Sequence, residues 1–123
     1  LIDAQLTPVL APLTFDGAGT MLNTNADTIA SETARALAKA DNVTLVYCFE
    51  KPGVLANPDD DNSVIPTITR SLFQRLTADG TISGGMLPKI ENALQAVSAG
   101  VRRVVITLAE NISQPDSGTQ IRL

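Results

Sequence analysis

Two short runs in this chain have residue types and spacings that could do chemistry. The first is GGMLPK, residues 84–89. Glycines let backbone come close to a ligand. Pro88 suits the first turn of a helix, where its missing N–H costs nothing. A helix N-terminus carries free N–H groups and partial positive charge, so it attracts anions and disfavours a cation. Lys89 in that turn is therefore unfavourable by up to about 1 kcal/mol on the dipole alone. A bound phosphate would reverse that sign, accepting from the amides near Met86 and pairing with the ammonium. The plain alternative is a solvated lysine beside a glycine loop.

The second run is NTNAD, residues 23–27. Asn23, Asn25 and Asp27 cluster where a strand is expected to turn into a helix. Asn25 is the natural N-cap, and Asp27 stands near the favoured acidic end. Two amides and a carboxylate cannot all cap one helix, so a polar surplus remains. That surplus suits a polar ligand, or a carboxylate that orients nearby lysines.

Other patterns carry less. NPDDDN (57–62) has the acids of a calcium loop but lacks its glycine and its final acid, so a solvated acidic loop is expected. DGAGTM lacks the third glycine of the dinucleotide fingerprint and precedes no helix directly. The chain has no histidine, which removes Ser-His-Asp and Cys-His arrangements and a His-containing zinc cluster. Cys48 is the one cysteine and lies in the apolar run VTLVYCF, where a buried small hydrophobe is expected.

The elements that must position these runs alternate. Residues 7–13 read as a strand, and TFDGAGTML reads as a hairpin turning at Asp16-Gly17. A helical face follows in Ala26, Ile29, Ala30, Ala34, Leu37 and Ala38. NVTLVYCF (42–49) is a near-continuous apolar strand of the kind buried on both faces of a parallel sheet. Residues 50–66 are loop-rich, and TRSLFQRLTADG reads as a helix stopping at Gly80. Leu87, Ile90, Leu94, Val97 and Val101 step at helical intervals. RRVVITLA (102–109) is the next strand, and GTQIRL a last short one. This order implies an α/β layered sheet in one domain, with functional loops at the carboxyl ends of strands.

The chain has 123 residues, 44% of them apolar and 18% charged, as in a globular domain with its own core. A net charge of −4 argues against non-specific nucleic-acid binding, yet permits a local phosphate site. No apolar run reaches membrane-spanning length and no signal peptide is visible, so the cytoplasm is the expected compartment. The opening LIDAQLTPVLAPL has no initiator Met, as expected for a piece of something longer.

Taken together, MLNTNADTIASETARALAKA, YCFEKPGVL, GTISGGMLPKIENALQAVSAGVRRVVI and SGTQI resemble, in that order, the second half of the N-acetylglutamate kinases of the amino acid kinase superfamily. The likeness runs from about Leu6 to Ile121. It implies a carbamate kinase-like, three-layer α/β sandwich with a mainly parallel sheet, of which residues 1–123 form the carboxyl-terminal, ATP-binding part. It implies ATP, with Mg2+ on its phosphates, and transfer of the γ-phosphate to the γ-carboxylate of an N-acylated glutamate in arginine biosynthesis. Magnesium would be held largely by the nucleotide and water, so no residue here is assigned as a metal ligand.

By that resemblance Asn23 contacts the acylated amino acid, Asp27 holds the catalytic lysines, and Lys89 neutralises the transferring phosphoryl group. Glu50, Lys51, Pro52, Gly53, Val54 and Leu55, with Thr81, Ile82 and Ser83, form the wall around the adenosine part. Gly85 and Met86 belong to the loop before Lys89. The sequence CFEKPGVL departs from the family's more usual Asp-containing segment, so Phe49, Glu50 and Lys51 alter how adenine is held. The family's first half, with its glycine-rich loop, a further catalytic lysine and much of the acylglutamate pocket, has no counterpart here. The resemblance therefore implies a homo-oligomeric intact enzyme and a monomeric, inactive piece, while the net charge and the lack of a long apolar run lead to the expectation of no nucleic-acid or membrane partner. A related phosphotransferase with another acceptor, or a nucleotide-sensing module, are the alternative readings.

Overall fold

In the computed structural model, residues 2–114 and 116–123 are described; Leu1 and Pro115 lie outside them. Two sheets form. The small one is the expected hairpin, β1 (Leu13–Phe15) antiparallel to β2 (Met21–Asn23). Its turn is set by Asp16, whose carboxylate accepts from the Ala18 and Thr20 amides at 2.7 and 3.1 Å. Gly17 takes φ +82°, the left-handed conformation that glycine adopts without strain.

The main sheet has strand order β3-β5-β6-β4. It is built from β3 (Thr44–Phe49), β4 (Thr67–Ile68), β5 (Arg103–Leu108) and β6 (Thr119–Ile121). Strand β3 runs parallel to β5 and β4 parallel to β6, while β5 and β6 are antiparallel. The sheet is therefore mainly parallel, and the chain is α/β as expected. Among the described residues three α-helices accompany it: α1 (Ala26–Leu37), α2 (Arg70–Ala78) and α3 (Met86–Ser98).

Local chemistry explains the helix ends. Asn25 accepts from the Asp27 and Thr28 amides, so it is the N-cap the sequence predicts. Thr69 caps α2 on the Leu72 amide, and Gly80 follows that helix with φ +80°. Helix α3 sinks Ile90, Ala93, Leu94 and Ala96 into the core, beside Val104 and Ile106 of β5. Ser31 of α1 donates to the Asn92 carbonyl of α3 at 3.2 Å, pinning the two helices together.

Three expectations are corrected. Residues 7–12 form no strand: Pro8 and Pro12 lack donors, Val9 is 91% exposed, and regular pairing begins only at Leu13. Strand β3 is not covered on both faces or both edges; it is an edge strand, with Thr44 exposed. Cys48 is likewise exposed rather than buried, on the same side of this edge strand as the exposed Thr44. The short β4, between the stretch read as loop and the helix read after it, is added by pairing with β6.

Candidate nucleotide and phosphoryl site

The two chemical runs meet. Asp27 is in the first turn of α1 and Lys89 in the first turn of α3, and the two helices pack side by side. The Lys89 ammonium donates to Asp27 Oδ1 at 2.7 Å and Oδ2 at 2.8 Å. Their side chains are 13% and 26% exposed, so the pair is part-buried yet reachable. A carboxylate with both oxygens committed to one ammonium holds it in a defined place. The cation that the helix dipole disfavours is thus offset by Asp27 from the neighbouring helix.

Behind the pair stands Tyr47 of β3. Its hydroxyl donates to the Asp27 carbonyl at 3.2 Å, and its ring centroid is 5.0 Å from the Lys89 nitrogen. Burial, then the Asp27 carboxylate, push the Tyr47 phenol up to about 12, with Ser31 opposing. The phenol stays a donor across the neutral range.

Beside the start of α3 lies a cavity of about 240 Å3. Its walls include Glu50, Lys51, Gly53, Val54, Leu55, Thr81, Ile82, Ser83 and Met86, all singled out from the sequence. Phe49 and Pro58 join them. Pro52 and Gly85 do not line it, and neither do Asn23, Asp27 or Lys89. Lys51 reaches across to Asp61 of the acidic loop at 2.9 Å. That contact raises the Lys51 ammonium above its ordinary value, and it gives one of the loop's acids a role other than metal binding.

The cavity's loop is anchored by a residue to which sequence reasoning gave no role. Thr119 Oγ1 accepts from the Val54 amide at 2.8 Å and donates to the Ile65 carbonyl at 2.7 Å. Gly53 sits so close that a Cβ there would stand 2.8 Å from Val64 and 2.9 Å from the Thr119 hydroxyl. The SGTQI run thus ties the loop to the sheet.

The glycine loop departs in one respect from the expected phosphate cradle. The Met86 and Leu87 amides already donate to the Ser83 and Gly84 carbonyls, at 3.3 and 3.2 Å. They close a turn rather than face outward together. Gly84 has φ +57°, which accounts for its type. Gly85 has φ −66° and nothing within 4 Å of where a Cβ would be, so neither backbone nor packing requires a glycine there. Asn23 closes β2 and is exposed, two residues before the Asn25 cap.

A mainly parallel α/β sheet, with a lysine–carboxylate pair across two helix starts beside an apolar cavity, defines a class that comparison makes explicit. Residues 1–108 match the amino acid kinase family, and the chain belongs to it. It is 60% identical over 122 residues to the acetylglutamate kinase of Bacteroides thetaiotaomicron, covering 99% of this chain and 47% of that protein. The acetylglutamate kinase of Parabacteroides distasonis is 57% identical over 121 residues, again 98% of this chain and 47% of the relative. The chain thus spans about half the length of these relatives. Among solved structures, smu.665 from Streptococcus mutans UA159 superposes with a TM-score of 0.79 at 35% identity, over 97% of this chain and 44% of that one. N-acetylglutamate synthase from Neisseria gonorrhoeae, at 23% identity and a TM-score of 0.73 over 91% of this chain and 26% of that one, shares the fold.

Proposed function

We propose that this chain supplies the nucleotide-binding half of an acetylglutamate kinase, transferring the γ-phosphate of ATP to the γ-carboxylate of an N-acyl-L-glutamate in arginine biosynthesis. The observation that carries this reading is the Asp27–Lys89 pair, fixed at 2.7 and 2.8 Å between two helix starts. Phosphoryl transfer is chiefly positioning and charge neutralisation, so a lysine held ready by a carboxylate is the group that chemistry needs.

The residues fit a nucleotide. Val54, Leu55, Ile82 and Met86 offer apolar surface to a base, and Glu50 and Lys51 offer polar groups at the same cavity. Gly85, free of any internal demand for glycine, leaves room for a close approach. ATP supplies the transferable phosphoryl group, and magnesium is expected on its phosphates. Lys89 is assigned to balance charge on that group, Asp27 to hold Lys89, and Asn23 to touch the acylated substrate.

The test uses the full-length kinase containing this chain. Lys89→Ala should lower turnover by about 10²–10³-fold with the fold intact, as loss of a charge-stabilising donor does. A loss smaller than about threefold would overturn the assignment of Lys89. An acceptor panel of N-acetylglutamate, glutamate, aspartate and carbamate distinguishes this reading from a related phosphotransferase.

A further inference from the structure

Outside the roles already assigned, one polar aromatic side chain touches the pair from below. Tyr47 is the chain's one tyrosine. It lies in β3 opposite Ile106 of β5 and is 4% exposed. A leucine or phenylalanine would fill such a core position without a buried hydroxyl to satisfy. Here the hydroxyl is satisfied at the Asp27 carbonyl, in the first turn of α1. The ring face meets the Lys89 ammonium at 5.0 Å, within the range where an aromatic quadrupole attracts a cation. One side chain therefore contacts both members of the pair, at the backbone of one and the charge of the other.

We propose that Tyr47 is a positioning residue for Lys89, its ring forming a platform under the ammonium while its hydroxyl fixes the helix turn that carries Asp27. The two Asp27 oxygens restrain the direction in which the ammonium points. The ring restrains its displacement towards the sheet. Together they confine a long, flexible side chain that would otherwise sample many rotamers. Ser31 extends the arrangement one turn along α1, through its bond to Asn92 of α3. The geometric claim stands on the structure alone; its consequence for turnover rests on the kinase reading.

Three measurements test it and separate those parts. In the 123-residue chain, the Lys89 ε-methylene protons should show an upfield ring-current shift in NMR spectra. That shift should persist in Tyr47→Phe and vanish in Tyr47→Leu. Acylation of Lys89, measured by mass spectrometry against the exposed Lys39, should rise about threefold or more in Tyr47→Leu only. In the full-length kinase, Tyr47→Leu should lower kcat about tenfold with KM for ATP little changed, and Tyr47→Phe should recover most of it. An unshifted Lys89 in the wild-type chain overturns the proposal without any variant. So do equal acylation rates in wild type and Tyr47→Leu, or a kcat loss in Tyr47→Phe as large as in Tyr47→Leu. Absence of any acylglutamate phosphorylation by the wild-type kinase would instead remove the function proposed above, while the shift and the acylation rates still decide the platform.

Discussion

At Gly85 the backbone is ordinary and the space around it open, so an alanine would fold there. Gly85→Ala should change stability by less than about 1 kcal/mol in urea denaturation. It should nevertheless weaken Mg-ADP binding by the full-length kinase, measured by calorimetry, about tenfold or more. Unchanged affinity would mean that no ligand approaches this position. Tyr47 carries a second residue-scale prediction. Its phenol releases a proton near 10 in the unfolded chain and near 12 in the fold. Between those values the unfolded state holds fewer protons, so stability falls as pH rises through that window. Tyr47→Phe should lack that component, worth about 1–3 kcal/mol by pH 12 in paired urea titrations. Lys89, Asp27 and Asn25 were legible because each is chemically odd for its place or apt for a cap. Tyr47 was not, because an aromatic in an apolar strand reads as core, and nothing in linear sequence tells which charge will rest on its ring.

Elements were readable where a periodic run ends in strong punctuation. Helix α1 begins after its asparagine cap and α2 after its threonine, with Gly80 following the second. Helix α3 begins beside two glycines and a proline. The run 7–13 misled because apolar residues alone do not make a strand; a neighbour must pair with them, and among the described residues the pairing with β2 takes in only the Pro12 carbonyl and Leu13 at the run's end. Strand β4 escaped notice because Thr67 and Ile68 gain their conformation only from the register with Gln120 and Ile121. The same distant pairing brings Thr119 under the cavity loop. Thr119→Val keeps the shape but orphans the Val54 amide and the Ile65 carbonyl. It should cost about 1–3 kcal/mol in urea denaturation and loosen the Gly53–Val54–Leu55 wall, seen as faster amide exchange at Val54. A neutral effect would show that water replaces the hydroxyl there.

The whole molecule is two-sided. One side of the main sheet is sealed by α1 and α3, while Val9, Leu13, Phe15 and Met21 stand 91, 52, 61 and 64% exposed around the hairpin and the segment before it. An apolar groove of about 370 Å3 between α1 and residues 8–12 borders the open β3 edge. Uncovered apolar surface of this kind binds dyes and associates. The 123-residue chain should therefore enhance the fluorescence of an apolar-surface dye, and Val9→Lys with Phe15→Lys should reduce that signal without shifting the urea midpoint. The purified chain should also show no acylglutamate phosphorylation, since it spans about half of its relatives; turnover by it would refute this. The fold class was plain from the alternation of strand and helix. That β3 would be an edge was not, because a strand's apolar run reports what it can be buried against and not what is present.

The order of the main sheet has one further consequence. Among the described elements β6 is the last in sequence, yet it stands between β5 and β4. As the ribosome releases the chain from its amino end, β3 and β5 can pair early, but β4 must wait unmatched until β6 emerges to bridge them. Thr119 arrives with that strand, so the loop that walls the cavity gains its anchor at Val54 and Ile65 only after β6 has emerged.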